Sequence, residues 1–281
     1  VVIDTTLATK QAVVVLICVQ TPLTKNGLPD LKYLESASRD VAKGLSKGKL
    51  VVVVSTIPPG TMKNLVKNLI EKESGLKCGS DFRLAYCPER ITPGNMVEEF
   101  IKNDRLVGGF DSQSASLTAE LFKSIIKGKI LVTDIANAEL AKLAENTFRY
   151  VNIAFSNELA LMCEKMGADV IEVINLANTH PRVNIHKPGP GVGGPCLTKD
   201  SQLLLHPKGH SPLKSKLIQC SKEQNDYMTD HTVELVIKAL NNTNKSVKNS
   251  CIAVLGAAYK AEVSDITNSP AEKIIHKLMH L

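Results

Sequence analysis

The stretch LVVVVS at residues 50–55 decides the fold class of this chain. It is a continuous run of apolar, mostly β-branched residues, and the turn residues Pro58, Pro59 and Gly60 follow it. An apolar run of this length without alternation is typical of a strand that is buried on both faces of a parallel sheet. The run VVVLICV at 13–19 has the same character and predicts a second such strand.

Helical and strand-like segments alternate around these two runs. Helices are predicted over 30–45, 61–72 and 112–126, and short strands over 83–86, 105–109 and 129–132. This alternation predicts an α/β domain, a Rossmann-like doubly wound parallel sheet, over residues 1–134. Such a domain normally carries G-x-G-x-x-G on its first strand-helix turn, and none follows a strand near the N-terminus. We therefore expect the sequence to enter the domain after its first βαβ unit.

The segment 135–166 contains neither Gly nor Pro and has apolar residues at helical spacing. It predicts one long helix that ends at Gly167. Further helices are predicted over 169–177, from 200 onward and over 213–241, which makes 135–245 an all-helical central domain. The run SCIAVL at 250–255 predicts a strand and 270–281 a helix. We expect these to begin a second α/β domain, 246–281, that the sequence leaves truncated.

Composition narrows the classes of function. The chain has 281 residues, a net charge of +6, no Trp and no long basic run, which disfavours a nucleic-acid-binding protein and suits a site for anionic small molecules. The seven cysteines lack the spacing of a disulfide framework or a metal site, and they suit a reducing cytoplasm. No apolar run reaches the roughly 18 residues that span a bilayer, so we expect no membrane association.

The most specific motif is PGPGVGGPCLTKD at 188–200. Its glycines allow a close approach of the backbone to a ligand. Cys196 ends the loop where a helix is predicted to begin, and helix-terminal amides with Lys199 would favour its thiolate. Asp200 follows one turn later. The same pattern also fits a Gly-rich turn around a buried, inert cysteine.

A second group lies on the predicted long helix. Lys142 and Asn146 are four residues apart and share a face, with Glu139 one turn earlier. A lysine and an asparagine in this position can donate to a developing oxyanion. An exposed, salt-bridged helix face explains the same residues equally simply.

Two loops complete the candidate site. The segment YCPERITPGN at 86–95 places Glu89 and Arg90 in a rigid loop, where Glu89 could position a water molecule, and a surface turn is the alternative. Thr21 and Thr56 each follow the carboxyl end of a predicted parallel strand, where open α/β sheets bind ligands. The other six cysteines are interpreted as packing residues.

Together these segments resemble the UDP-glucose/GDP-mannose dehydrogenase family. The resemblance covers nearly the whole chain in the right order, from ICVQTPL (17–23) through STIPPGT (55–61), NDRLVGG (103–109) and AELAKLAEN (138–146) to VLGAAYKAEVSDITNSPA (254–271). It implies an NAD-binding domain, a central helical domain that forms a homodimer, and two-step oxidation of a UDP-sugar at C6 to the uronic acid. PERxxPGN, NDRxxGG and HPRVN resemble the branch that acts on UDP-N-acetyl-D-mannosamine.

The resemblance also implies roles for the matching residues. Cys196 would be the nucleophile, Lys142 and Asn146 the oxyanion stabilisers, and Asp200 a base or a carboxylate that orients one. Glu89 and Thr56 would hold the hydrolytic water, while Thr21, Thr56 and Lys199 would contact NAD. The sugar-nucleotide site would be lined by Lys142, Asn146 and eight further residues: Arg90, Ile91, Arg149, His180, Arg182, Gly193, Tyr259 and Lys260.

Three positions depart from the family pattern: Gln20 replaces a proline, Pro195 a histidine or aromatic residue, and Thr267 an arginine. Two alternative functions stay open, and these departures support the second of them. One is a relative of the β-hydroxyacid and 6-phosphogluconate dehydrogenases, which need no cysteine and release product after one oxidation. The other is a non-catalytic homologue that dimerises or senses a ligand. The sugar itself, UDP-N-acetylmannosamine, UDP-N-acetylglucosamine or UDP-glucose, is not decided by sequence.

Overall fold

A computed structural model describes residues 3–91 and 94–281. The chain divides into two compact units, Val1–Glu145 with Gln202–Lys214, and Asn146–Ser201 with Ser215–Leu281. The domain limits predicted at 134/135 and 245/246 stay predictions. Residues 1 and 2 of the predicted first domain, and Thr92 and Pro93 of the 86–95 loop, lie outside the described residues.

The first unit is built on a five-stranded sheet whose strands follow one another in chain order. They are β1 (Val14–Ile17), β2 (Leu50–Val53), β3 (Arg83–Tyr86), β4 (Arg105–Gly109) and β5 (Ile130–Asp134). Strands β1, β2 and β3 are parallel, and so are β4 and β5, whereas β3 and β4 pair antiparallel. The predicted α/β class with a Rossmann-like, mainly parallel sheet is therefore confirmed, and the sheet departs from the predicted parallel arrangement at the β3–β4 pair.

The antiparallel pair has a physical cause in the connection between its strands. A parallel crossover needs a helix that packs on the sheet. Helix α4 (Met96–Lys102), which links β3 to β4, has no fully buried residue. The chain returns alongside β3 instead, with Ala85 opposite Gly109 and Tyr86 opposite Gly108.

Both faces of the sheet are covered, as the apolar run 50–55 predicts. Val51 and Val53 belong to a core cluster with residues of several helices, whereas Leu50 and Val52 pack with Phe122 on the opposite face. The helices of this unit, besides α4, are α1 (Thr5–Gln11), α2 (Lys32–Gly44), α3 (Lys67–Ser74) and α5 (Ser112–Lys123); a π-helical turn, Met62–Val66, leads into α3. All four residues of β2 are buried.

The second unit is helical. Helix α6 (Ile135–Met166), which belongs to this unit from Asn146 onward, has the bounds predicted from its lack of Gly and Pro, and Gly167 follows it with φ 72°. The remaining helices are α7 (Val170–Ala177), α8 (Leu197–Leu205), α9 (Lys216–Asn242) and α10 (Pro270–Met279). Among the described residues, none of the helices combines the length and the apolar character that crossing a membrane would require.

The strand predicted over 250–255 is wrong. These residues have no regular secondary structure, and Leu255 is 93% exposed. A strand is stable only when it pairs with neighbouring strands or packs one face against other elements. No described strand pairs with this segment. The helix predicted after it is confirmed as α10, with Pro270 at its first position.

Candidate active site

Two loops meet at the carboxyl ends of β1 and β2. The Ser55 hydroxyl accepts the N–H of Val19 at 2.8 Å and donates to the carbonyl oxygen of Val19 at 2.6 Å. The Thr21 hydroxyl donates to the carbonyl oxygen of Thr56 at 2.6 Å. A hydroxyl can serve as donor and acceptor at once, so these side chains join the loops where the sheet ladder stops. Thr21 and Thr56 are thereby brought together.

A cavity of about 400 Å³ opens next to this edge. It is lined by Thr5, Cys18, Val19, Gln20, Tyr33, Ser36, Ala37 and Asp40. Its volume falls in the range of small-molecule sites, and its walls mix apolar groups with hydroxyl, amide and carboxylate groups. A wall of this donor chemistry, at the carboxyl end of a parallel strand, fits part of a dinucleotide such as NAD.

Glu89 is held by four donors. Its Oε1 accepts the N–H groups of Arg90 and Ile91 at 2.8 and 3.2 Å, and both terminal nitrogens of Arg105 donate to the carboxylate at 3.0 and 3.2 Å. The Arg105 guanidinium is buried and lies 4.2 Å from the centre of the Phe100 ring and 5.3 Å from that of Phe122. Among residues 3–91 and 94–281, Oε2 accepts from Arg105, and a carboxylate oxygen can accept a second donor such as water.

Arg90 and Ile91, predicted to contact the sugar nucleotide, differ in what they do. The Arg90 guanidinium pairs with Glu145 at 2.8 Å and donates to the carbonyl oxygen of Asp104 at 2.8 Å. Ile91 contributes its main-chain N–H to Glu89. Both residues therefore shape the loop that presents Glu89.

The polar residues on α6 are buried. Glu139 is 1% exposed, Lys142 7% and Asn146 9%. The alternative of an exposed, salt-bridged face is therefore wrong. Oε2 and Oε1 of Glu139 accept the N–H groups of Gly60 and Met62 at 2.6 and 2.8 Å, and burial raises the pKa of this carboxyl group to about 7 against the lowering effect of those two bonds.

Cys196 is exposed and directly precedes α8. Its carbonyl oxygen accepts the N–H of Asp200 at 2.8 Å, which is the first bond of the helix. The predicted helix start is confirmed, and the alternative in which this cysteine is buried is wrong. A thiol at this position experiences the positive end of the helix dipole.

The glycine loop before Cys196 is packed against Tyr259. Gly194 has φ 84°, and a Cβ built on it would lie 2.7 Å from the Tyr259 ring. The main-chain N–H of Gly194 donates to the carbonyl oxygen of Thr267 at 2.8 Å. The loop thus needs glycine both for backbone conformation and for space, and Thr267 contacts it through its backbone carbonyl oxygen.

Asp200 and Asn146 form a buried pair in the second unit. Nδ2 of Asn146 donates to Oδ2 of Asp200 at 2.6 Å, and the other carboxylate oxygen lies 3.7 Å from Nζ of Lys199. Asp200 is 1% exposed. The Asn146 amide and the Lys199 ammonium group orient this buried carboxylate at the start of α8 and give it a polar environment.

The predicted sugar-nucleotide residues of this unit form two groups. Arg149 and Tyr259 interact: burial and the charges of Asp265 and Cys196 raise the pKa of Tyr259, and Arg149 lowers it. Gly193 packs against the same tyrosine. His180, Arg182 and Lys260 are exposed.

The remaining cysteines do not all fit the packing interpretation. Cys87 and Cys163 are buried, but Cys18, Cys220 and Cys251 are exposed, which corrects the expectation for these three. Burial raises the pKa of Cys87 to about 11, so that thiol stays protonated at neutral pH. Among the described residues, no cluster of His, Cys, Asp and Glu could hold a metal ion.

Two site-supporting residues have no predicted role from sequence. Arg105 lies in the NDRLVGG motif. A charged residue at the start of a strand, beside aromatic residues, is a pattern from which a supporting role could be predicted. Asn157 on α6 is fully buried; it donates to Asn225 at 2.9 Å and accepts the N–H of Gly189 at 2.9 Å. It anchors the start of the glycine loop, and a buried polar residue on a helix face gives no local pattern that names its partner.

Comparison with known proteins agrees with this geometry. Residues 2–126 match the NAD binding domain of the UDP-glucose/GDP-mannose dehydrogenase family, and residues 136–227 match its central domain. The chain is 46% identical over 262 residues to a UDP-N-acetyl-D-mannosamine dehydrogenase from Pyrococcus horikoshii, covering 93% of this chain and 62% of that protein.

Two further relatives extend the similarity. An NDP-N-acetyl-D-galactosaminuronic acid dehydrogenase from Ralstonia solanacearum is 38% identical, with 94% of this chain and 62% of the relative covered. The solved structure of a UDP-D-ManNAc dehydrogenase from Pyrococcus horikoshii superposes with a TM-score of 0.93 at 44% identity, over 98% of this chain and 65% of that chain. The chain thus spans less than two thirds of the length of these relatives. The chain belongs to the UDP-glucose/GDP-mannose dehydrogenase family.

Proposed function

We propose that the protein is an NAD-dependent dehydrogenase that oxidises C6 of UDP-N-acetyl-D-mannosamine to the uronic acid in two steps. One observation carries the proposal: Cys196 is exposed at the start of α8, and the buried Asp200–Asn146 pair lies one turn further on. A nucleophile, an oriented carboxylate and a neutral donor in this order are what covalent aldehyde oxidation requires.

Cys196 gives the reaction its two-step character. The first oxidation converts the primary alcohol to an aldehyde, with the hydroxyl proton released. The Cys196 sulfur then adds to the aldehyde carbon and forms a thiohemiacetal, which the second oxidation turns into a thioester. Water attacks the thioester carbon, the C–S bond breaks, and the acid leaves as Cys196 regains its thiolate. NAD, when bound, supplies the acceptor for one hydride in each oxidation.

Lys142 and Asn146 are proposed to stabilise the oxygen at C6. They lie four residues apart on α6, on one face of that helix, and both are buried. A charged and a neutral donor can both bind an alkoxide-like oxygen, and burial strengthens each bond. Asp200 is proposed to take up or orient the proton at this centre, since Asn146 already holds its Oδ2.

Glu89 and Thr56 are proposed to hold the hydrolytic water. The Glu89 carboxylate cannot move freely, because Arg105 and two main-chain N–H groups fix it. A carboxylate oxygen can accept two hydrogen bonds, and Arg105 is the donor that the described residues bring to Oε2. A fixed acceptor of this kind orients a water molecule without having to be a strong base.

The remaining proposed contacts concern binding. Thr21, Thr56 and Lys199 are proposed to contact NAD. The UDP-sugar is proposed to contact the eight residues Arg90, Ile91, Arg149, His180, Arg182, Gly193, Tyr259 and Lys260, with Lys142 and Asn146. The exposed Cys196 thiol must stay reduced, so we propose that the reaction takes place in the cytoplasm.

We also propose that the protein is a homodimer through its helical unit. Phe148, Phe155 and Met162 repeat every seven residues along α6 and are 63%, 52% and 51% exposed. A stripe of large apolar side chains on one helix face is costly in water and suits a two-fold contact with a second copy.

The test is the stoichiometry of NADH formation with a panel of UDP-hexoses, using the full-length protein. The proposal predicts two NADH for each uronic acid, with UDP-N-acetyl-D-mannosamine giving the largest kcat/KM. A preference for UDP-glucose or UDP-N-acetylglucosamine would change the substrate alone. One NADH per substrate would favour a hydroxyacid-type dehydrogenase, and no turnover with any sugar would favour a binding module.

A further inference from the structure

Glu139 is a buried titratable residue that the proposed reaction does not use. Its side chain comes from α6, one turn before Lys142, and both oxygens point at main-chain N–H groups, those of Gly60 and Met62. These two N–H groups lie at the start of the π-helical turn that leads into α3, where helix N–H groups lack intrahelical partners. Glu139 therefore caps a helical turn whose residue Met62 lies 77 residues away from it in sequence.

The capped loop is also held from its other side. The N–H of Lys208 donates to the carbonyl oxygen of Pro59 at 2.7 Å, and the Asn64 amide donates to the carbonyl oxygen of Lys208 at 2.8 Å. Gly60 has φ 79°, and a Cβ there would lie 2.6 Å from that same carbonyl oxygen. The segment 57–62 is thus confined between α6 and the chain around Lys208.

The restraint reaches the proposed cofactor loop through a short path. Thr56 is four residues before Gly60, its carbonyl oxygen accepts from Thr21, and Ser55 is bonded twice to Val19. Pro58 and Pro59 between them have fixed φ angles and limit how much a shift at Gly60 can be absorbed. A change in the position of Gly60 is therefore transmitted to Thr56.

We propose that Glu139 is a positioning residue: by accepting the N–H groups of Gly60 and Met62, it fixes the 55–61 loop and hence Thr56 relative to Lys142 on the same helix as Glu139. This inference rests on the proposed function for its effect on rate. That Glu139 holds the loop does not depend on the proposed function.

The central variant is Glu139→Gln, compared at pH 8. The amide has the size of the carboxyl group, but its nitrogen presents hydrogens to one of the two N–H groups, so one bond is replaced by a repulsive contact. Glu139→Asp keeps the charge and loses reach, and it serves if the Gln variant does not fold. Glu120→Gln on α5 is the control, because Glu120 is exposed and pairs with Lys123 of the same helix.

Two measurements are made on each variant. Residue-level hydrogen exchange should show the amides of Gly60 and Met62 opening at least about 10-fold more readily in the Glu139 variants, with α5 unchanged. Steady-state kinetics, normalised to titrated active sites, should show kcat lower by about 10-fold and KM for the UDP-sugar within about 2-fold, since the change misplaces a reacting group without removing a sugar contact. A purely stabilising role would leave kcat per active site unchanged.

Each result decides a separate claim. Exchange of Gly60 and Met62 at intrinsic rates in the wild type, or unaltered protection in both Glu139 variants, overturns the positioning role. Unaltered kcat in a wild-type-like active enzyme overturns its effect on the reaction. If the wild type forms no NADH with any UDP-sugar, the proposed function fails, and the exchange data alone decide whether Glu139 holds the loop.

Discussion

Nδ2 of Asn146 lies 2.6 Å from Oδ2 of Asp200, and both side chains are buried. The same distance separates Nδ2 of Asn137 from Oδ2 of Asp134 at the exposed start of α6. Asn146→Ala should lower the free energy of unfolding by about 2–3 kcal/mol, because it leaves a buried carboxylate oxygen short of a donor. Asn137→Ala should cost about 1 kcal/mol or less, since water replaces the lost amide. Urea unfolding of both variants measures the difference, and equal losses would contradict it.

Cys196→Ser tests the nucleophile. A serine hydroxyl is a weaker nucleophile towards the aldehyde and a poorer leaving group than a thiol, so uronic acid should fall below detection while UDP-sugar binding is retained. Cys220→Ser is the matched control, because Cys220 is also exposed and lies on α9. Acid is quantified by chromatography beside NADH absorbance. Acid formation by the Ser variant at the wild-type rate would exclude Cys196 as nucleophile.

Arg105 and Arg39 form a second matched pair. The Arg105 side chain is 4% exposed and donates two hydrogen bonds to Glu89. The Arg39 side chain is 44% exposed and pairs with Glu73. Arg105→Gln should destabilise the chain by about 3 kcal/mol, because the Glu89 carboxylate loses its cation in a partly buried site. Arg39→Gln should cost at most about 1 kcal/mol. Thermal unfolding of the two variants gives the comparison, and a small loss for Arg105→Gln would show that the buried pair contributes little.

Short stretches of sequence were sufficient to predict much of the secondary structure. The Val-rich run at 50–55 predicted a strand buried on both faces, and the absence of Gly and Pro over 135–166 predicted the exact extent of α6. The position of Cys196 at a helix start followed from the change from a glycine-rich loop to LTKD. Each of these features depends on residues close together in sequence, where periodicity and turn residues carry the information.

Features that depend on distant partners could not be predicted in this way. The β3–β4 pair is antiparallel, and the short helix α4 that links these strands has no fully buried residue, which the period of α4 alone does not reveal. The run 250–255 has strand-like composition, yet no described strand pairs with it. Glu139 is recognised as a cap only when Gly60 and Met62 are seen next to it, 79 and 77 residues away in sequence.

Glu139 also predicts a pH dependence of stability. Its pKa is raised from 4.5 to about 7 by burial, and no charged side chain among the described residues contributes to the shift. The folded chain therefore binds more protons than the unfolded chain between these two values, so this stabilisation is complete at low pH and is lost as pH rises through about 7. Between pH 5 and pH 8 it should decrease by about 2–3 kcal/mol. Urea unfolding of wild type and Glu139→Gln at both pH values tests this, since the variant should lack that part of the slope; parallel curves would contradict it.

The apolar stripe on α6 predicts the result of a charge substitution. In a homodimer built on Phe148, Phe155 and Met162, Phe155 is buried twice, once in each subunit. Burying one such side chain contributes about 1.5–3 kcal/mol, so Phe155→Glu should raise the dimer dissociation constant at least about 100-fold. Val97→Glu on α4 is the control, because Val97 is 76% exposed and lies outside the stripe. Light scattering after size-exclusion chromatography should give a dimer for the wild type and the control and a monomer for Phe155→Glu. A monomeric wild type, or a Phe155→Glu dimer of unchanged affinity, would mean that this face of α6 does not form the contact.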